Sequence, residues 1–120
     1  MWTGVISGAG LIIAGGAMWV VTGAAARGRL ARSPWAGIRT ISTQASDAAW
    51  LAGHRAALAT CRVTGATSLV IAVAMIINGN VESLTFWILF ALGYGGILLG
   101  AIVSIIQASR AARAAVSGQR

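Results

Sequence analysis

The chain has 120 residues, of which 58 % are hydrophobic and only 9 % are charged, whereas a soluble domain has roughly 25 % charged residues. A water-soluble protein of this size could not bury so much apolar surface, and a disordered chain would be far more polar, so both classes are excluded. The net charge of +7 comes from nine arginines against only Asp47 and Glu82, and the positions of those arginines decide what the charge means.

The first of three long uncharged segments predicts a transmembrane helix over about residues 5–24, since a span needs roughly 20 apolar residues. Ala24, Ala25 and Ala26 at its end resemble the cleavage site of a signal peptide. A signal peptide, however, carries its positive charge before the apolar segment, and here the arginines follow it. We therefore expect this segment to remain as a membrane anchor.

The loop 27–57 comes next and is the longest polar part of the chain. Pro34 and Gly37 disfavour a helix in its first half. Ser46 or Thr43 can cap a helix that starts near Asp47, whose carboxylate suits the positive end of a helix.

That helix is predicted to be amphipathic. Helical spacing puts Asp47, Trp50 and His54 on one side and Arg55 toward the opposite flank. Two arrangements are open: the helix lies along the cytoplasmic surface of the bilayer, or it runs directly into the second span.

The second and third spans are predicted over about residues 58–78 and 84–106. Asn78 and Gly79 form a strong turn signal between them, so these two helices make an antiparallel hairpin. Spans in lipid must satisfy their backbone amides internally, which favours helices. The predicted fold is therefore an all-α membrane protein, a single domain of residues 1–120 with a basic tail over 107–120.

The arginines predict the topology. Six of them lie within residues 27–62, in the loop and the first turn of the second span, and three lie in the tail, while the N-terminus and the second connection have none. The positive-inside rule then gives an outside N-terminus, a cytoplasmic loop and a cytoplasmic C-terminus. The bilayer is the first expected partner, with anionic lipids contacting the tail. Because topology accounts for the arginines, we do not expect nucleic-acid binding.

Glycines on the first and third spans are predicted to be sites of close helix packing, because small residues let helix backbones approach in lipid. Those glycines are Gly4, Gly8, Gly93, Gly96 and Gly100. Packing within the chain, a homo-oligomer and docking on another membrane protein all remain open.

Little in the chain could perform catalysis. One cysteine, Cys61, and one histidine, His54, cannot supply the four ligands of a zinc site. Asp47 and His54 lie two helical turns apart, which is too far for a direct hydrogen bond along the helix. We expect neither an enzyme nor a bound cofactor.

One set of residues in the loop and the helix after it forms a distinctive pattern: Trp35, Ala36, Gly37, Ile38, Arg39, Thr40, Thr43, Trp50, His54 and Arg55. This set resembles the SdpI family of bacterial membrane proteins, whose pattern is an aromatic-x-Gly-Ile-Arg-Thr segment followed by a capped helix with Trp-x-x-x-His-Arg. Together with Asp47, where that helix starts, these residues are called here the loop motif. The resemblance covers roughly residues 30–100.

The resemblance implies a function in binding. The named member of the family is an immunity protein against a secreted toxin peptide, and it also holds a repressor at the membrane. That member is longer, and Ser33 and Ile41 stand where the family often has Asn and Pro, so the fold carries over better than the activity. The implied location is the bacterial cytoplasmic membrane.

Two interpretations of the loop motif are open. Its Arg and Trp residues are typical interface anchors and could bind a protein partner, or they could fold the loop onto the bilayer. A second function, as a structural accessory subunit of a larger inner-membrane complex, is also open.

Overall fold

The computed structural model describes residues 2–33 and 36–118. Within them the chain forms three long helices, α1 (Trp2–Ala26), α2 (Asp47–Asn78) and α3 (Leu84–Gly118), and a short 3-10 helix over Thr43–Ala45. All three long helices are apolar and long enough to cross a membrane. The predicted all-α membrane fold with three spans is confirmed.

Local residue chemistry sets where α2 and α3 begin and where α2 ends. The Ser46 hydroxyl accepts a hydrogen bond from the Ala49 amide at 3.0 Å, and that of Ser83 accepts from Phe86 at 3.1 Å, so each caps the first turn of its helix. Gly79 ends α2 in the left-handed conformation, with φ at +60°, and donates to the Met75 carbonyl. The predicted turn signal acts here as a helix cap.

Helix α2 runs without a break from the loop into the second span. Its 32 residues extend about 48 Å, whereas the hydrocarbon core of a bilayer is about 30 Å thick. Of the two arrangements left open, the structure shows the continuous helix. A separate amphipathic helix in the loop is therefore not confirmed. Helix α3 likewise continues past residue 106 into the basic tail.

The helices run up, down and up, with α2 between the other two. Helix α1 begins beside the turn at Gly79 and passes Gly65 near its middle. Helices α1 and α3 meet mainly near one end, where the Tyr94 hydroxyl donates to the Ser7 carbonyl at 2.6 Å. The two ends of the described chain therefore lie at opposite ends of the bundle, as an odd number of spans requires.

Glycines bring α1 close to α2. A Cβ at Gly4 would lie 3.0 Å from the Gly79 Cα, and one at Gly8 would lie 2.9 Å from the Ala72 carbonyl oxygen. The Gly65 backbone provides a third close approach, which the sequence analysis did not identify. Only glycine permits such separations.

The glycines of α3 differ in how closely other helices pack against them. A Cβ at Gly93 would meet Leu11 at 2.5 Å, and one at Gly100 would collide with the side chain of Thr64. Gly96 has nothing within 4 Å of that position. Within the described chain, Gly96 is therefore not a close packing contact.

Candidate functional site

The loop motif is organised around His54, which is fully buried in the first turns of α2. The Ile38 amide donates to His54 Nε2 at 2.8 Å, and His54 Nδ1 lies 2.8 Å from the Trp50 carbonyl oxygen. Because Nε2 accepts, Nδ1 must carry the proton and donate to Trp50. His54 is thus a neutral imidazole that ties the loop to α2.

His54 precedes the predicted second span, which starts at residue 58. Burial lowers the pKa of His54 from its usual value near 6.5, and the hydrogen bond to the Trp50 carbonyl partly opposes this shift. Burial disfavours the charged imidazolium because the site cannot solvate it. The protonated ring would also place an N–H against the Ile38 amide.

Gly37 fits against the two rings of this cluster. Its φ is +92°, a conformation that side-chain-bearing residues rarely adopt. A Cβ there would also lie 2.7 Å from the Trp50 ring and 2.8 Å from His54 Nε2. The Trp50 and His54 ring centroids are 4.2 Å apart, and Trp50 Nε1 donates to the Leu30 carbonyl at 3.0 Å.

Two threonines join the loop to α3. The buried Thr43 hydroxyl donates to the Ile38 carbonyl at 2.7 Å and accepts from the Thr40 amide at 2.9 Å. The Ser109 hydroxyl of α3 donates to Thr40 Oγ1 at 3.2 Å. The Thr43 methyl group lies over Gly53, where a Cβ would be only 2.9 Å away. The loop is therefore held between α2 and α3.

The charged residues of the motif lie outside this cluster. Arg55 is exposed and its Nε donates to the carbonyl of Ala26 at 3.1 Å, which caps the end of α1. Asp47 is 3.6 Å from Arg32, and the Asp47 side chain is 90 % exposed whereas that of Arg32 is 38 % exposed. Arg39 is exposed beside Ile38.

Trp35, the aromatic residue of the predicted motif, and Pro34 lie outside the described residues. The structure therefore brings together Gly37, Thr40, Trp50 and His54 and places Arg39, Asp47 and Arg55 around them.

Beneath the loop lies a cavity of about 290 Å³ between the three helices. The lining consists of Ala17, Met18, Val21 and Thr22 of α1, Cys61 of α2, Ala101, Ser104 and Ile105 of α3, and Gly37 and Ile38 of the loop. Ala17 and Ile105 are exposed, whereas Cys61 is buried. The cavity thus opens sideways between α1 and α3, and the loop forms its roof.

Three polar side chains, one from each helix, form the buried side of this cavity. The Thr22 hydroxyl donates to Cys61 Sγ at 3.4 Å, and Cys61 Sγ lies 3.3 Å from the Ser104 hydroxyl. These groups satisfy one another, so the cavity presents mainly aliphatic surface. Such a site suits an apolar group.

Neither the buried side of the cavity nor its roof was predicted from the sequence. Thr22 and Ser104 have no distinctive neighbours along the chain, and their meeting with Cys61 depends on the register of three helices. Among the described residues, no group of three His, Cys, Asp or Glu side chains lies close enough to hold a metal ion.

Comparison with protein families shows which family the chain resembles. The model of the SdpI/YfhL protein family matches residues 29–107. The matched part begins just after α1 and contains the loop, all of α2 and most of α3. Neither the comparison with curated proteins nor that with solved structures finds a match.

Proposed function

This chain belongs to the SdpI/YfhL protein family, and on that premise we propose that it is a multi-pass membrane protein that acts by binding, in toxin immunity or in membrane signalling. The observation that carries the proposal is the cavity whose roof is built by the loop motif.

The contacts of the motif support this assignment. Trp50 is 3 % exposed and His54 is fully buried, so neither offers the surface of an interface anchor. With Gly37 and Thr43 they hold Ile38 over the cavity. In this proposal the motif therefore shapes a binding site instead of forming the contact surface itself.

The proposed ligand is an apolar group of a membrane-associated peptide or protein. A cavity of about 150 Å³ is enough to hold benzene, and this one has about 290 Å³, which is room for a large aliphatic or aromatic side chain. The opening between α1 and α3 faces sideways, so the partner would approach within the bilayer. Arg39, exposed beside Ile38, is the motif residue best placed to meet its polar part.

The proposed location is the bacterial cytoplasmic membrane, with the N-terminus outside and the loop and C-terminus in the cytoplasm. The support is the arginine distribution: Arg27, Arg55 and Arg110 all lie at the loop end of the bundle. Reporter tags on the two termini should mark opposite sides of the membrane, and marking of one side by both would overturn this topology.

Photo-crosslinking in living cells tests the binding proposal. A diazirine amino acid replaces Ile105, which lines the mouth of the cavity and is 46 % exposed. The matched control replaces Leu98, which is 64 % exposed on α3 and outside the cavity. We expect a defined peptide or protein adduct, identified by mass spectrometry, from position 105 and not from 98. Only lipid adducts at both positions would contradict the proposal.

The alternative function, as an accessory subunit of a larger inner-membrane complex, is supported by a different observation. Gly16, Gly95 and Gly96 have open space where a Cβ would lie, so another protein's helix could approach them closely. Stoichiometric co-purification with a large complex in mild detergent would favour this function. A free monomer or homodimer would count against it.

A further inference from the structure

A second recess lies on α1, separate from the cavity. It is a groove of about 240 Å³ lined by Trp19, Val20, Gly23 and Ala24, with Arg27 and Arg29 at one end. Trp19 packs over Gly65 of α2, where a Cβ would lie 3.3 Å from the Trp19 Cβ and 3.4 Å from its indole ring, and Trp19 forms one wall of the groove. The groove therefore has an apolar part and a cationic part.

The cationic part is not neutralised by the acids of the chain. Asp47 does not line the groove and lies 3.6 Å from Arg32. Glu82 belongs to the turn between α2 and α3, at the opposite end of the bundle. The guanidinium of Arg55 binds the carbonyl of Ala26 at the same end of α1 and adds to the positive potential. An anionic group is the complementary ligand.

We propose that this groove binds one anionic phospholipid, with its phosphate at Arg27 and Arg29 and an acyl chain along Val20 and Trp19. The apolar part lies within the predicted first span, 5–24, where lipid is the solvent, and Val20 is 68 % exposed to it. The arginines follow directly after that span, at the depth of the headgroups. Basic pockets at this level of a membrane protein bind anionic headgroups. An acidic protein segment would match the arginines but not the exposed apolar wall.

Native mass spectrometry of the full chain in mild detergent tests the proposal. Phosphatidylglycerol and phosphatidylcholine are titrated separately. We expect the chain to retain one phosphatidylglycerol and to bind phosphatidylcholine more weakly. The double variant R27Q/R29Q should lose roughly 25-fold in affinity for phosphatidylglycerol, at roughly fivefold for each arginine.

The matched control is R110Q/R113Q, which removes the same charge from exposed positions of α3 at the same end of the bundle. This variant should lose much less affinity for phosphatidylglycerol than R27Q/R29Q, because Arg110 and Arg113 do not line the groove. An equal loss in both double variants would mean general charge attraction and would overturn the site, as would equal binding of the two lipids. Displacement of the lipid by a short polyglutamate peptide would assign the arginines to a protein ligand and also overturn it.

Discussion

Single residues in the loop are held by contacts that converge on Gly37 and His54. The Gly37 backbone lies against the Trp50 and His54 rings, and His54 bonds to Ile38, the next residue along the loop. A change at either position therefore acts on the whole roof of the cavity.

The variant Gly37→Ala should lower the stability of the folded protein. A left-handed backbone costs alanine about 1–2 kcal/mol, and the clash with Trp50 and His54 adds about 1–3 kcal/mol of overpacking. Thermal unfolding in detergent measures the loss.

Gly28→Ala is the control for that variant. Gly28 also has a positive φ, +75°, but nothing lies within 4 Å of its Cβ position. It should show only the backbone cost of about 1–2 kcal/mol. Equal losses of stability in the two variants would mean that the close contact of Gly37 with the Trp50 and His54 rings does not affect stability.

Stability should depend on pH through His54, the chain's single histidine. Its folded pKa is lowered by burial, so below about pH 6.5 the unfolded chain binds a proton that the folded chain does not. The melting temperature should therefore be constant above that pH and fall as the pH drops from about 6.5 toward 5. His54→Gln should flatten this dependence, and an unchanged slope in the variant would exclude His54 as its source.

The sequence predicted which residues form the motif but not their contacts. Helical spacing correctly put Trp50 and His54 on one side of a helix, because that depends only on the helical period. Helical spacing could not show what that side of the helix contacts. Its partners come from a distant part of the chain: the Leu30 carbonyl, which accepts from Trp50, lies 20 residues earlier.

At the scale of the helices, the predicted spans follow from charge and apolar length alone. The turn at Gly79 was also predicted from a local signal, the Asn78–Gly79 pair. The continuity of α2 was left open, because the residues around position 58, where the second span was predicted to start, include neither a strong helix breaker nor a clear helix start.

Two glycines four residues apart on α3 should respond differently to the same change. Gly100→Ala places a Cβ 2.7 Å from Thr64 Cγ2 and 3.0 Å from its Cβ, and this stiff branched side chain cannot move away easily. The free energy of unfolding should fall by about 1–3 kcal/mol.

Gly96→Ala, by contrast, faces open space and should leave stability unchanged or raise it by up to about 1 kcal/mol, because alanine favours a helix over glycine. Both variants are compared by thermal unfolding in the same detergent. A larger loss for Gly96 than for Gly100 would contradict the packing of α2 against α3. Spacing alone gave both residues the same role, because it does not specify the rotation of α3 about its axis.

For the whole molecule, the arrangement of the three helices places the loop motif at one end of the cavity. Because α1 and α3 meet at Tyr94 and Ser7 and separate toward the loop, space remains beside Cys61. The loop closes one end of that space through Ile38. Sequence reasoning could not find this site, since its lining comes from four separate segments that carry no shared pattern.

The variant Ala101→Phe separates binding in the cavity from the stability of the loop, because it fills the cavity from α3 while leaving the loop motif intact. Ala91→Phe is its control, an exposed position on the same helix that does not line the cavity. The measurement is the yield of the protein or peptide adduct from a diazirine at position 105, in membranes with equal amounts of each variant. We expect Ala101→Phe to abolish the adduct and Ala91→Phe to retain it. An undiminished adduct in Ala101→Phe would mean that the partner does not bind in the cavity.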